Sequence, residues 1–241
     1  MKKLILSLAI ITPLLFTSCK KSAFCVKADD NIITENRDIN TFDKIELKGS
    51  SNIHYKQSDV TSLYITTSKK IMPYLVTKVN GDVLEINTKN NTCLKGDYTV
   101  DIYVEGPNLS ALKISGSGDI IALNKVNTQS LDLKISGSGD IRFDSLKTTF
   151  LNSKISGSGD IELVGLDTVL TQDVKISGSG NFNAANQLVK TSNISISGSG
   201  NCKVNAFDKL NVKISGSGDV TYYGLPLINV DITGSGSLNH F

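Results

Sequence analysis

Two series of polar side chains recur through the second half of the chain at intervals of 18 to 21 residues, with Ser195 at one of the lysine positions. One series follows a Gly-Ser-Gly motif each time and consists of Asp119, Asp140, Asp160, Asn181, Asn201 and Asp219. The other precedes the motif and consists of Lys113, Lys134, Lys154, Lys175 and Lys213. If successive repeats stack, each series becomes a column in which equivalent residues lie about 5 Å apart.

The acidic series could bind cations. Its carboxylates are those of Asp119, Asp140, Asp160 and Asp219. Carboxylates this close repel one another, and calcium takes about 6 to 8 oxygen ligands. The competing interpretation is that these side chains accept hydrogen bonds from the turn backbone. The asparagines in the series favour it, because an amide oxygen makes the same contact without charge, and we expect no metal or other cofactor.

The lysine series is typical of a solvated strand face. It is also the candidate ligand-facing column, because a row of ammonium groups can bind an anionic glycan or lipid headgroups. With the neighbouring Ser and Asp side chains it would form a flat, regular polar surface. Such a surface suits a repetitive ligand such as a polysaccharide.

The Gly-Ser-Gly motif itself could be taken for a phosphate-binding loop. That interpretation requires a helix directly after the loop, whereas here the motif recurs seven times with no helical pattern after it. We therefore interpret the glycines as structural. They would allow either a positive φ or a sharp corner between two strands.

Cys19 is a candidate lipidation site. Residues 1–18 are predicted to be a signal peptide, with Lys2 and Lys3 ahead of a largely apolar segment that is too short to span a bilayer. A small residue directly before Cys19 resembles a bacterial lipobox, although ordinary secretion with a chance cysteine is the alternative. The lipoprotein interpretation makes 19–41 a lipidated tether and the membrane a partner, with the outer membrane as the expected location.

The remaining cysteines predict one disulfide, and the net charge argues against one class of partner. Of Cys25, Cys93 and Cys202, the first two are the expected disulfide, because Cys202 lies within the repeats. Without Lys2 and Lys3 of the predicted signal peptide, the chain has 23 basic and 23 acidic residues, since 25 − 2 = 23. This balance argues against a nucleic-acid partner.

The elements that would position these columns are strands in a repeat. The motif Ile-Ser-Gly-Ser-Gly places its Ile at 114, 135, 155, 176, 196 and 214, and a worn copy begins at Ile232. Alternating apolar residues before and after the glycines predict two short strands in each unit. A β-propeller or hairpin array would need a longer period, so the spacing favours a β-helix of about 20-residue coils. The predicted fold is therefore an all-β, single-stranded right-handed β-helix over 111–241.

Residues 42–110 carry strand patterns without the regular repeat. The Asn80-Gly81 pair between two alternating segments predicts a hairpin, and the segment beginning at Leu47 is a degenerate copy of the motif. We predict that 42–110 forms the first coils and an irregular N-terminal β cap.

These motifs together resemble a known family. The lipobox, the segment Phe-Asp-Lys-Ile-Glu-Leu-Lys-Gly from Phe42 and the repeated Ile-Ser-Gly-Ser-Gly-Asp-Ile resemble the putative autotransporter-adhesin head GIN domain over roughly residues 42–240. The resemblance implies a right-handed β-helix in an envelope protein and suggests adhesion. It implies no catalytic or binding residues.

Catalysis is not expected. His54 and His240 stand at opposite ends of the sequence, and no pair of carboxylates is set apart for glycoside hydrolysis. The sequence thus predicts a non-catalytic, adhesin-like or glycan-interacting envelope lipoprotein. The first alternative is a structural or self-associating envelope protein, which would form a homo-oligomer, and the distant one is a polysaccharide lyase or hydrolase. Self-association would use the worn last coil, where an open sheet end can template pairing.

Overall fold

A computed structural model describes residues 25–90 and 92–241, so the predicted signal peptide and Cys19 lie outside the described residues. Strands account for 63% of the described residues. One short 3-10 helix, Met72–Tyr74, is also present. Within the described ranges, no helix has the length and apolar character needed to cross a membrane.

The N-terminal part contains nine strands. They are β1 Cys25–Lys27, β2 Ile32–Asn36, β3 Lys44–Gly49, β4 Asn52–Gln57, β5 Ser62–Ser68, β6 Leu75–Asn80, β7 Val83–Thr88, β8 Cys93–Lys95 and β9 Val100–Gly106. Strands β3 and β4 form the first turn of the solenoid, and they flank a degenerate corner at Gly49 as the sequence predicted. The following residues leave the solenoid and build a cap over this turn.

The repetitive part contains eleven strands. They are β10 Ala111–Gly116, β11 Ile120–Ala122, β12 Val126–Ile135, β13 Ile141–Ile155, β14 Ile161–Gly165, β15 Val169–Ile176, β16 Phe182–Ile196, β17 Cys202–Ile214, β18 Val220–Tyr223, β19 Leu227–Ile232 and β20 Leu238–His240. They form a β-solenoid of about six turns, which confirms the predicted architecture.

The turns stack in parallel and in register. Ile114 pairs with Ile135, Ile135 with Ile155, and the column continues to Ile232. The isoleucines of this column from Ile114 to Ile214 are at most 1% exposed. Burying an Ile side chain contributes about 1.5–3 kcal/mol, so this column is a large part of the core.

Each turn has three sides, whereas the sequence predicted two strands and a polar remainder. Strands β13, β16 and β17 run on for 13 to 15 residues and include the third side. Its inward positions mix apolar residues such as Leu146 with polar ones, namely Thr148 and Gln187, and all three are buried. This mixture hides the two-residue alternation by which a strand is detected.

The cap covers the N-terminal end of the solenoid. Strand β7 pairs with the outer edge of β3, and β9 pairs with the outer edge of β4. Strand β5 then adds to β9 in antiparallel fashion, and β6 and β7 form the predicted hairpin around Gly81. The open edges of the first turn are therefore hydrogen-bonded on two of its sides.

Residues 25–36 were predicted to belong to the tether, but they are held in the fold. Strand β1 pairs with β8, where the expected Cys25–Cys93 disulfide is present, and β2 pairs with β5. Hydrogen bonds to the cap also hold this segment. In one of them the Ser68 hydroxyl donates to Asp29 Oδ1 at 2.6 Å. Cys202 is unpaired and buried in the solenoid core, where desolvation raises the pKa of its thiol.

The glycines of the motif serve close stacking of the backbone. Positive φ values occur at Gly49, Gly81, Gly96 and Gly224, so in the regular copies of the motif the sharp corner, and not positive φ, is the alternative that holds. A Cβ on Gly157 would lie 1.9 Å from the carbonyl oxygen of Gly137 in the turn before it. The same conflict recurs at both glycines of every corner from Gly116 onward, because each corner rests directly on the previous one.

We expect Gly157→Ala to lower the free energy of unfolding by about 3 kcal/mol or more, because two turns must separate to admit the methyl group. The matched control is Ser158→Ala at an exposed position of the same corner, with an expected loss below about 0.5 kcal/mol. Urea unfolding followed by circular dichroism measures both. Equal stability of the two variants would show that the corners are not in forced contact.

Candidate ligand-binding face

The lysine series lies on one outward side of the solenoid, which we call the lysine face. Its column runs through Glu46, Lys113, Lys134, Lys154, Lys175, Ser195, Lys213 and Asp231. The strands alternate, so the apolar residues on either side of each lysine point into the core while the lysine points out. The structure thus brings the five predicted lysines together in one column, interrupted once by Ser195.

The two ends of this column are neutralised by acidic neighbours. Lys113 Nζ lies 2.6 Å from Glu46 Oε1, and Lys213 Nζ lies 3.7 Å from Asp231 Oδ2. Partial burial raises the pKa of Glu46, but the hydrogen bond and the charge of Lys113 outweigh it, so the pKa lies below its usual value.

The middle of the column is different. Among the described residues, Lys134, Lys154 and Lys175 have no ion pair within 4.0 Å, and all three are exposed. Three ammonium groups on consecutive turns are therefore available to a ligand.

A second column of acids and amides runs beside the lysines. It consists of Asp132, Asn152, Asp173, Asn193, Asn211 and Asn229. Asn152 donates from Nδ2 to Asp132 Oδ1 at 2.9 Å, and Asn193 donates to Asp173 Oδ1 at 2.8 Å. With these two aspartates beside three free lysines, the centre of the face carries one net positive charge and many hydrogen-bonding groups.

The lysine face contains a groove where Ser195 replaces lysine. The groove has a volume of about 310 Å³, and Lys175 and Lys213 stand on either side of Ser195. The amides of Asn193 and Asn211 line it as well. A short side chain between two long ones therefore makes a recess at the small end of ligand sites. Its lining carries both charges, because Asp173 and Asp231 lie beside the two lysines.

The acidic series forms a hydrogen-bonded ladder, which we call the Asx ladder. Asp140 N donates to Asp119 Oδ1 at 2.9 Å, and Asp160 N donates to Asp140 Oδ1 at 2.7 Å. The same contact repeats through Asn181, Asn201 and Asp219, and Ser237 ends the ladder by donating to Asp219. One side-chain oxygen of each member thus satisfies a backbone N–H of the next turn, which Asn can do as well as Asp.

The geometry gives the cation interpretation no support. One oxygen of each carboxylate in the series already accepts a backbone hydrogen bond. In the part of the chain that the structure describes, no group of three or more His, Cys, Asp or Glu is arranged to hold a metal ion.

A further groove lies at the third side and was not predicted from the sequence. It has a volume of about 580 Å³ and is lined by uncharged groups such as Asn127, Gln129 and Thr149. Its only two charged residues, Lys147 and Asp167, pair with each other at 2.7 Å. The polar residues at the end of each repeat were the only sequence signal for this groove. They did not suffice to predict it, because their exposure depends on the third side of each turn.

The two histidines are held apart by the fold. His54 lies in the first turn, where it stacks on Tyr103 with ring centroids 4.6 Å apart. His240 lies in the last turn beside Tyr222. No arrangement for nucleophilic catalysis connects them.

Comparison with known proteins places the chain among putative adhesins. The family model described as "Putative auto-transporter adhesin, head GIN domain" matches residues 41–226. No curated protein matches the chain.

Solved structures share the fold. A putative adhesin from Bacteroides fragilis NCTC 9343 is 26% identical with a TM-score of 0.85, and the match covers 90% of this chain and 100% of that one. A putative lipid binding protein from Parabacteroides distasonis ATCC 8503 is 27% identical, with a TM-score of 0.77 and the same coverage. A putative adhesin from Parabacteroides merdae ATCC 43184, 20% identical with a TM-score of 0.70 over 90% of this chain and 99% of that one, supports the fold alone.

If the Asx ladder is structural, Asp160→Asn should leave the free energy of unfolding within about 0.5 kcal/mol of the original value. Asp160→Ala should lower it by about 1 kcal/mol, because the Asn181 N–H loses its acceptor. Urea unfolding with and without millimolar calcium measures both variants. A loss as large for Asn as for Ala, or stabilisation by calcium, would instead favour a role for the carboxylate charge.

Proposed function

The chain belongs to the family of the putative auto-transporter adhesin head GIN domain, and from this premise we propose that it is an adhesin-like lipoprotein of the cell envelope that binds glycan through its lysine face. The observation that carries the binding proposal is the run of unpaired lysines 134, 154 and 175 on consecutive turns. The family and the solved relatives are named for adhesion or lipid binding, which supports a non-catalytic role.

The chemistry of the face favours a polysaccharide with carboxylate groups. Stacked strands place equivalent groups about 4.8 Å apart, so a polymer of sugar units meets one lysine on each of the three central turns, with an Asp or Asn beside it. The net charge of the centre is small, so hydrogen bonds to hydroxyl groups contribute beside the ionic contacts. Weak contacts repeated along a polymer add up to useful avidity even when each one is modest.

The lipid anchor would hold this face outside the membrane. Cys19 lies six residues before Cys25, which is tied to the cap by its disulfide. The cap end of the solenoid would therefore lie nearest the membrane, and the turns of the lysine face would extend away from it.

Glycan binding can be tested with an immobilised polyuronate such as alginate and with neutral dextran as the comparison ligand. We expect the combined change of Lys134, Lys154 and Lys175 to Ser to weaken alginate binding at least about tenfold, which corresponds to about 1.4 kcal/mol. The control changes the exposed Lys125, Lys190 and Lys203 to Ser, with the same loss of charge elsewhere on the surface.

Biolayer interferometry at two salt concentrations gives both affinities. Equal weakening by the two triple variants would show that overall charge, and not the lysine face, attracts the polymer. The absence of binding to any acidic polysaccharide would refute the glycan proposal.

Lipidation predicts that Cys19→Ser moves the protein from the membrane fraction to the soluble fraction and abolishes incorporation of an alkyne-labelled fatty acid. Lys20→Ser serves as the control and should stay membrane-bound and labelled. Fractionation with fluorescent labelling checks both variants. If the protein without substitutions incorporates no labelled fatty acid, the lipidation proposal is contradicted.

A further inference from the structure

The C-terminal turn of the solenoid leaves its core side chains partly uncovered. Ile228, Val230 and Ile232 of β19 are 43%, 47% and 37% exposed. The residues that pair with them one turn earlier in β17 are Leu210, Val212 and Ile214, which are 0%, 3% and 0% exposed. The same columns are thus buried when a further turn covers them and exposed where none does.

The opposite end of the solenoid is closed. Strands β7 and β9 pair with the outer edges of β3 and β4, so the N-terminal end offers no open edge on those two sides. Head-to-tail stacking of two molecules is therefore blocked. Two C-terminal ends can still meet, and such a contact is two-fold and closed, which gives a dimer and not a fibre.

The exposed edge lacks the usual protection against pairing. Strand β19 contains no Lys, Arg or Pro, and its single charge is Asp231, which lies 3.7 Å from Lys213 of the same chain. Exposed edges of this kind normally carry charges, prolines or bulges that prevent association. An unprotected edge beside exposed apolar side chains fits a surface that is covered by a partner.

We propose that two copies of this chain associate through their C-terminal turns, with the β19 edges paired antiparallel about Val230. In this register Ile228 of one copy lies opposite Ile232 of the other, and both point into a joined core. Asn229 then lies opposite Asp231 of the second copy, so the two aspartates do not face each other. Two copies of the strand can therefore pair in this alignment without repulsion between opposite carboxylates.

The contact surface is small. Strand β19 has six residues and is about 20 Å long, and the end face is about one strand wide. Such a face falls short of the roughly 1,000 Å² that specific, stable interfaces usually bury. We therefore expect a weak dimer that forms only at micromolar concentrations or above.

The geometry has a consequence for adhesion, which rests on the proposed lipid anchor. Each copy would be anchored beside its cap, and the caps lie at the two far ends of the dimer. Strand β19 lies seven turns beyond β3. At about 4.8 Å per turn, the two strands are roughly 34 Å apart along the axis of each copy. Copies on one membrane would both point outward, so the contact joins copies on two facing membranes.

Sedimentation velocity of lipid-free protein comprising residues 20–241 tests the contact. We expect a monomer below about 1 μM and a dimer above about 50 μM. Val230→Lys should stay monomeric throughout, because it places two ammonium groups at the two-fold axis. The matched control is Leu188→Lys, at a side position with a similar exposure of 43%, and this variant should still dimerise.

Cross-linking checks the register. Val230→Cys should form a disulfide-linked dimer on mild oxidation, and Leu188→Cys should not. A protein that stays monomeric at 100 μM, or a dimer that Val230→Lys leaves intact, overturns the proposal.

Bridging is measured separately with liposomes that carry the protein through an N-terminal tag, which replaces the lipid. The original protein should aggregate the vesicles, and Val230→Lys should not. Dimers in solution without aggregation would overturn the bridging geometry. The dimerisation and vesicle experiments depend neither on fatty acylation nor on alginate binding. A failure of the proposed function would therefore appear only in the alginate-binding and lipidation experiments.

Discussion

The close contact between successive corners is the constraint on which the rest of this structure depends. At each corner the backbone of one turn donates to the carbonyl groups of the previous turn, as Ser158 N does to Gly137 O at 2.9 Å. A side chain at either glycine would prevent this approach. Because the corners fix the spacing and the phase of the turns, the isoleucine column, the lysine face and the Asx ladder all align.

Once the turns are aligned, each outward column repeats one kind of chemistry along the solenoid axis. Where that chemistry is a hydrogen-bonding oxygen, as in the Asx ladder, the column stabilises the stack and Asp and Asn are interchangeable. Where it is an ammonium group, neighbours on adjacent turns repel one another and remain available to an outside partner. The same repetition therefore yields a structural column on one side and a candidate binding surface on another.

Much of this fold could be predicted from the sequence, because the repeat makes the pairing of distant strands visible as spacing. The stacking of Ile135 on Ile155, the disulfide between Cys25 and Cys93 and the irregular N-terminal cap are confirmed. The third side was missed because buried polar residues such as Gln187 interrupt its apolar pattern. The lysine column was predicted, but which lysines are free depends on Glu46 and Asp231, whose register with the column only the structure shows. The right-handed sense of the coil stays a prediction.

The Cys25–Cys93 disulfide bears on how this molecule would respond to mechanical force. Its two cysteines are 68 residues apart, so the bridge closes the segment from β1 to β8 into a covalent loop within the cap. Tension applied at the N-terminus would pass through this bridge and could not extract β2 to β7 one strand at a time. Along the solenoid the hydrogen bonds between turns run parallel to the axis, so a pull in that direction loads all the bonds of a turn together. Tension at the N-terminus would therefore reach the solenoid through Cys93 and not through the strands of the bridged loop.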